Sequence, residues 1–199
     1  TSSYDINRNL PDKVFGVTKK WAQENPSTYK AVVKALIRAG KWLDEDKKKH
    51  RGEASRILSQ PQYVGADAEV IVNSLTGTFE YEKGDKREEP EWNVFFNDFA
   101  SYPYYSGAVW WLTQLRRWGM IAEAQTDDWY IELAKKVFDS DTYLAAAKEL
   151  AAEGKLTEAE IPQTDGFKEL PAANFIDGIP FDGKQPNEYL KKFSIGTKS

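Results

Sequence analysis

Ten aromatic side chains lie between Trp92 and Trp118 of this 199-residue chain. They are Trp92, Phe95, Phe96, Phe99, Tyr102, Tyr104, Tyr105, Trp110, Trp111 and Trp118. Such a cluster has three interpretations: a core beneath packed helices, a sugar-binding platform, or a protein interface. The core is favoured, because aromatic residues on one helix face usually point inward. Trp110 and Trp111 project about 100° apart on a helix, so burying both requires cover on a broad front.

The composition excludes several classes of protein. Hydrophobic residues make up 41% and charged residues 29%, as in a globular protein, and no apolar run is long enough to span a membrane. The net charge of −4 argues against a nucleic-acid partner. Without cysteine and with one histidine, disulfides and most metal or triad sites are hard to build. The chain opens without Met or a leader, so we expect a piece of a longer or processed protein.

A long helix is predicted after Asn25-Pro26, with Ser27 as its N-cap and an apolar stripe at helical spacing. A basic face runs beside that stripe: Lys30, Lys34, Arg38 and Lys41. This face is either an anion-binding surface or a solvated one, and the second is favoured. Residues 44–51 look like a solvated helix end, which would make His50 an exposed bystander.

Further elements follow from caps, glycines and periodicity. The predicted helices are 52–59, 68–76 with Asp67 as cap and Gly77 as stop, 106–119, 129–138, 142–153 and 186–193. Residues 78–82 alternate and suggest a short strand, whereas residues 84–90 suggest a charged loop. Three Asp-Gly pairs, at 165–166, 177–178 and 182–183, indicate turns.

Residues 14–18, Val-Phe-Gly-Val-Thr, are apolar and β-branched and predict a buried strand. Lys13 comes directly before this strand. A lysine at a strand edge that faces a cleft suits a small anion, since it carries a compact charge and three donors. The alternative is a solvated lysine, which the residues alone favour. No phosphate loop, calcium loop or catalytic constellation is evident, so we expect no catalytic residue, metal or cofactor.

Several segments together resemble one family. These are 11–18 (PDKVFGVT), 34–39 (KALIRA), 63–67 (YVGAD), 76–87 (TGTFEYEKGDKR), 102–106 (YPYYS), 116–119 (RRWG) and 186–190 (PNEYL). The chain resembles the solute-binding proteins of nitrate and bicarbonate ABC transporters. The resemblance covers the C-terminal half of such a protein.

The resemblance implies a helix-rich α/β fold, the C-terminal portion of a two-lobed type II periplasmic-binding-protein clamshell. Residues 1–199 would form that part, with 1–6 as the return across the hinge and 7–199 as a returning strand plus a helical remainder. The implied function is binding of nitrate or nitrite without enzymatic activity, and in the nitrate branch a lysine at the position of Lys13 lines the anion site.

The implied partners are the oxyanion, ABC permease subunits and the missing N-terminal half, and not nucleic acid. The implied location is the periplasm, with a lipidated N-terminus outside this chain. Two alternatives stay open. One is a bicarbonate-binding protein, although a bicarbonate–calcium pair would favour a carboxylate near the site. The other is a cytoplasmic regulatory domain fused to the transporter ATPase. An enzyme acting on carbohydrate and an aromatic interaction module, residues 102–118, are the competing classes of function.

Overall fold

A computed structural model describes residues 3–8, 13–89 and 91–196. The α-helices of the described chain are α1 (Ser3–Ile6), α2 (Lys19–Glu24), α3 (Pro26–Lys48), α4 (Arg51–Leu58), α5 (Ala68–Thr76), α6 (Tyr105–Arg117), α7 (Asp127–Val137), α8 (Ser140–Ala152) and α9 (Pro186–Leu190). Short 3₁₀ turns lie at Asn97–Phe99, Glu158–Glu160 and Ala172–Asn174. The predicted helices are confirmed, with bounds displaced by a few residues. Among these residues no helix is both long and apolar enough to cross a bilayer.

A β-hairpin follows α5. Strand β1 (Thr78–Glu82) pairs antiparallel with β2 (Asp85–Glu88), and Thr78 lies opposite Glu88. Gly77 ends α5 with φ 77°, as its position predicted. The prediction of a loop at 84–90 was wrong in part, because residues 85–88 form β2. The sequence of β2 is highly charged, so only its pairing with β1 identifies it as a strand.

The predicted buried strand at residues 14–18 is not present. These residues have no strand partner within the described part of the chain, and Val14 is 70% exposed. A strand exists only through its partner, so apolar and β-branched composition was not sufficient evidence. The first two residues of the predicted hinge segment 1–6, and residues 9–12 before Lys13, fall outside the described residues.

Helix α3 begins one residue after Asn25, so Asn25 and not Ser27 is the N-cap residue, and Pro26 occupies the first helical position. Proline is favoured there because its fixed φ suits a helix and its missing N–H costs nothing. At the other end the helical backbone stops at Glu45, and residues 46–48 adopt positive φ of 48°, 57° and 65°.

The sequence predicted a solvated helix end at residues 44–51. The structure instead has a buried ion pair between the first and the last of these residues. Arg51 and Asp44 are 1% and 4% exposed, and Arg51 Nη2 lies 2.6 Å from Asp44 Oδ1. The other oxygen of Asp44 accepts hydrogen bonds from the backbone amides of residues 95–97 at 2.8–3.1 Å. A run of charged residues looks solvated in the sequence, because partners that lie far along the chain cannot be recognised from the sequence alone.

The guanidinium of Arg51 also binds three backbone carbonyls and so adds α5 to this centre. It donates to the backbone carbonyls of Leu43, Leu75 and Asn93. Gly40 lets α3 approach the 93–97 segment, because a Cβ there would lie 2.9 Å from Phe95 O. One buried charge pair therefore fixes the end of α3, the start of α4, the end of α5 and the strap at 93–97.

The basic face of α3 meets acidic groups on and after α8. Lys30 pairs with Glu149, Lys34 with Glu149 and Glu153, and Lys41 with Glu160. Lys30 and Glu149 are 119 residues apart in the sequence, and so are the partners in the pairs that Lys34 forms with Glu153 and Lys41 with Glu160. Helix α3 and the segment 149–160 therefore run in the same direction. Arg38 is exposed, as the solvated interpretation predicts, whereas the three lysines are only partly exposed and are paired with carboxylates, which neither interpretation predicted. We call this set of ion pairs the α3–α8 ladder.

Two hydrophobic clusters form the core. The first joins α6, α7 and α9 to the C-terminal segment through Ala108, Val109, Trp110, Tyr130, Ala134, Leu170, Phe175, Phe181, Tyr189 and Leu190. The second joins α3 to α8 through Ile37, Phe96, Tyr102, Tyr143, Ala146, Ala147, Leu150, Leu156 and Ile161.

The core interpretation of the aromatic cluster is confirmed for most of its members. Phe96, Tyr102 and Trp110 are less than 9% exposed, and Trp111 is half-buried. Trp118 is the exception at 54%. The broad cover that Trp110 and Trp111 require comes from α7, α9 and the C-terminal segment.

The three Asp-Gly pairs are turns, as predicted. Each glycine has positive φ, at 88°, 67° and 78°. Each aspartate accepts a hydrogen bond from the amide two residues later, those of Phe167, Ile179 and Lys184. The carboxylates thus stabilise the chain reversals locally.

We expect Asp44→Asn to lower the free energy of unfolding by about 3–5 kcal/mol, because it leaves the Arg51 charge buried without its counterion. Urea denaturation followed by tryptophan fluorescence measures this change. Asp85→Asn, which removes the exposed partner of Arg87, is the matched control and should leave the urea midpoint unchanged. Equal midpoints for the two variants would show that the buried pair does not hold the fold.

The α3–α8 ladder makes stability depend on pH. Hydrogen bonds from Lys30 and Lys34 lower the pKa of Glu149 below its usual value. The unfolded chain therefore takes up this proton first as the pH falls. The contribution of Glu149 is complete above pH about 5 and is lost as the pH falls through the folded-state pKa.

We expect Glu149→Gln to be less stable than wild type at pH 6 and to approach wild type as the pH is lowered from 6 through the folded-state pKa of Glu149, where this carboxylate becomes neutral. Urea midpoints measured across this range at low salt test the expectation, and added salt should narrow the difference at pH 6. Glu132→Gln removes an ion pair within one helix, with Lys135, and is the control. A difference between wild type and Glu149→Gln that does not change with pH would contradict the role of the ladder.

Candidate functional site

The segment that contains Lys13 is an exposed arm. Residues 13–18 lie outside any helix or strand, and each is exposed. Val14 is 70%, Phe15 47% and Val17 37% exposed. The arm ends where the Thr18 hydroxyl caps α2 by accepting a hydrogen bond from the Trp21 amide at 3.2 Å. Three apolar side chains in six residues are thus accessible to another surface, with Lys13 at the start.

Aromatic contacts hold this arm against the beginning of α3. The rings of Phe15 and Tyr29 are 6.2 Å apart, and those of Trp21 and Tyr29 are 6.4 Å apart in an edge-to-face arrangement. Tyr29 thereby connects α3 to both the arm and α2. One contact between aromatic rings thus ties the arm to α3, while most of the apolar surface of the arm stays exposed.

A cleft of about 450 Å³ opens beside this corner, where α2, the first turns of α3 and the first turns of α8 meet. Its polar side chains are Lys19, Gln23, Ser27, Tyr29, Lys30, Asp139 and Thr142. Asp139 also caps α8, since it accepts a hydrogen bond from the Thr142 amide at 2.9 Å. Local capping requirements therefore place this carboxylate at the rim.

The electrostatics of the cleft are mixed. Two lysines face one aspartate, and the ammonium group of Lys30 is engaged by Glu149 in the α3–α8 ladder. Burial raises the pKa of Tyr29, and the charge and hydrogen bond of Asp139 raise it further, so this phenol is neutral near pH 7. The cleft offers hydroxyl, amide and ammonium donors for a small polar ligand.

The structure does not bring Lys13 into this cleft, since Lys13 is absent from the described residues that line it. The cleft begins six residues later, at Lys19. Lys13 could be singled out from the sequence, but the cleft could not. One wall of the cleft is formed by α8, which lies more than a hundred residues after α2 in the sequence. The one sequence signal for this wall was Asp139, a residue type that favours the N-cap position of a helix.

One group of described residues has the side chains that bind metal ions: Glu45, Asp46 and His50, at the end of α3. It belongs to the α3–α4 connection and to neither the arm nor the cleft.

The comparisons first define a class of protein. Residues 1–59 match the NMT1-like family. The fold matches the crystal structure of the periplasmic nitrate-binding protein NrtA from Synechocystis, with a TM-score of 0.83 and 29% sequence identity. The match covers 97% of this chain and 48% of NrtA. The chain thus has the fold of about half of a periplasmic solute-binding protein.

Curated relatives include proteins of nitrate transport and of bicarbonate transport. The nitrate/nitrite binding protein NrtA of Nostoc sp. is 30% identical over 191 residues, which are 94% of this chain and 40% of that protein. The nitrate import ATP-binding protein NrtC of Synechococcus elongatus is 33% identical over 192 residues, 96% of this chain and 26% of that protein. The chain therefore spans less than half the length of either relative.

These findings confirm the resemblance to nitrate-transport solute-binding proteins and the helix-rich fold class. By their names the NrtA proteins are binding proteins, and NrtC is an ATP-binding import protein. None of these similarities tests whether Lys13 binds the anion, so this role stays a prediction.

Proposed function

We propose that this chain is the C-terminal half of a two-lobed solute-binding protein that binds nitrate or nitrite for an ABC import system. The match to a nitrate-binding protein over 97% of the chain is the observation that carries the proposal. The whole protein would work in the periplasm, anchored by a lipidated N-terminus, and deliver the anion to the permease subunits. It would hold the anion without making or breaking bonds.

The exposure of the arm supports the proposal that a second lobe covers it. Val14, Phe15 and Val17 present apolar surface that a monomeric protein ordinarily buries. The N-terminal half of a clamshell would cover this surface and bring its own ligands to the anion. Lys13, at the start of the arm, would then lie where the two halves meet.

Lys13 would act as a charge-assisted hydrogen-bond donor. An anion that leaves water loses strong hydration, which the site must replace with donors and positive charge. A lysine supplies both, and the apolar Val14 follows it in the sequence, whereas a bicarbonate–calcium pair would favour a nearby carboxylate. Nitrate or nitrite therefore fits better than bicarbonate. Closure of the lobes would follow from tighter anion binding in the closed state.

We expect Lys13→Ala, in the protein that contains both lobes, to weaken nitrate binding about 10- to 100-fold. A hydrogen bond to a charged group is worth about 1.5–3 kcal/mol, and each 1.4 kcal/mol is a factor of ten. Isothermal titration with nitrate measures the change, and bicarbonate with calcium is the parallel injection. Lys13→Arg keeps the charge and should bind more tightly than Lys13→Ala.

Lys20→Ala is the matched control, because this lysine lies nearby on α2 with its side chain 83% exposed. Its nitrate affinity should equal that of wild type. An unchanged affinity in folded Lys13→Ala would remove Lys13 from the site. Heat from bicarbonate with calcium, and none from nitrate, would replace nitrate by bicarbonate in the proposal.

A second candidate function rests on the 33% identity to an ATP-binding import protein. In that case the chain would be a regulatory domain, fused to the transporter ATPase and located in the cytoplasm. Osmotic-shock fractionation separates the two candidates. Release of the protein with the periplasmic fraction supports the transport-binding role, and retention with the membrane-bound ATPase supports the regulatory one.

A further inference from the structure

We propose that Glu45, Asp46 and His50 form a binding site for a transition-metal dication of the zinc class, at the connection between α3 and α4. This inference is independent of the proposed anion site. It revises the expectation that His50 is an exposed bystander and that the chain holds no metal. Imidazole and carboxylate are both common zinc ligands.

The distances between donor atoms support the proposal. His50 Nε2 lies 3.3 Å from Glu45 Oε1. Two metal bonds of about 2.0–2.1 Å that meet at a tetrahedral angle place their donor atoms about 3.3 Å apart. An Asp46 oxygen completes a group in which all three donor atoms lie within 4.8 Å of one another. Metal binding would require the Asp46 side chain to bring its oxygen closer to the other two donor atoms.

The imidazole is held in position before any metal binds. Its ring stacks on Trp42 at a centroid distance of 4.7 Å and an interplanar angle of 22°. The His50 side chain is 20% exposed and that of Glu45 is 39% exposed. Stacking fixes the plane of the ring, while both side chains stay partly exposed to solvent. Such a preorganised ligand loses little conformational freedom when it binds a metal.

The metal must replace two contacts, the pair of Asp46 with Lys49 and the contact between His50 Nε2 and Glu45 Oε1. Asp46 is paired with Lys49, and both side chains are more than half exposed. Exposed pairs of this kind contribute little, so the carboxylate is readily transferred from the ammonium group to a dication. The nitrogen ligand favours zinc over calcium, which prefers oxygen donors. With three protein ligands, a fourth position remains for water.

The composition of the chain makes this proposal easy to test. His50 is the sole histidine, and the chain has no cysteine. Any imidazole–metal signal therefore comes from His50, and no thiolate competes. We expect one equivalent of Zn²⁺ to bind at pH 7.5 in isothermal titration. Zn²⁺ should also shift the imidazole proton resonances, and Co²⁺ should give visible absorption bands of a tetrahedral complex.

We expect both His50→Gln and Glu45→Gln to weaken Zn²⁺ binding at least 10-fold, whereas Asp85→Asn, an exposed carboxylate on β2, should bind like wild type. Circular dichroism of each variant establishes that it is folded, and Glu45→Gln serves if His50→Gln does not fold. Zn²⁺ affinity that is equal in wild type and the two glutamine variants would overturn the proposal. So would the absence of binding to wild type at 1 mM Zn²⁺, a concentration about tenfold above that of the protein in such a titration.

Discussion

The buried ion pair of Asp44 and Arg51 is the interaction on which the first half of this structure depends. A charge that leaves water is costly unless every polar atom finds a partner. Here the Asp44 carboxylate accepts from three successive amides as well as from Arg51, and the guanidinium also reaches three carbonyls. Helices α3, α4 and α5 and the 93–97 strap therefore meet at one fully satisfied polar centre.

A rigid α3 then organises the regions that could bind ligands. Its basic face is paired along the α3–α8 ladder, which sets α8 beside it and opens the cleft where both helices begin. Tyr29, in the first turns of α3, holds the arm that starts at Lys13. At the other end, the left-handed backbone of residues 46–48 turns the chain so that Glu45, Asp46 and His50 lie together.

Local signals could be read from the sequence, whereas pairings between distant residues could not. The helix at 68–76, its stop at Gly77 and the three Asp-Gly turns depend on neighbours in sequence, and each prediction is confirmed. The ladder pairs residues 119 apart, so its lysines looked solvated. The arm at 14–18 has the composition of a strand but no partner among the described residues, and hence it is not a strand. Lys13 was first noticed because it precedes the apolar segment 14–18, and only the family resemblance made it the favoured anion ligand.

The most direct test of the account is whether nitrate binds at the arm. Amide spectra of the two-lobed protein, recorded during a nitrate titration, report contact residue by residue. The account predicts saturable shifts at residues 13–18 and at the start of α2, with small changes around the remote Asp177-Gly178 turn. Saturable shifts elsewhere, with residues 13–18 unchanged, would contradict it.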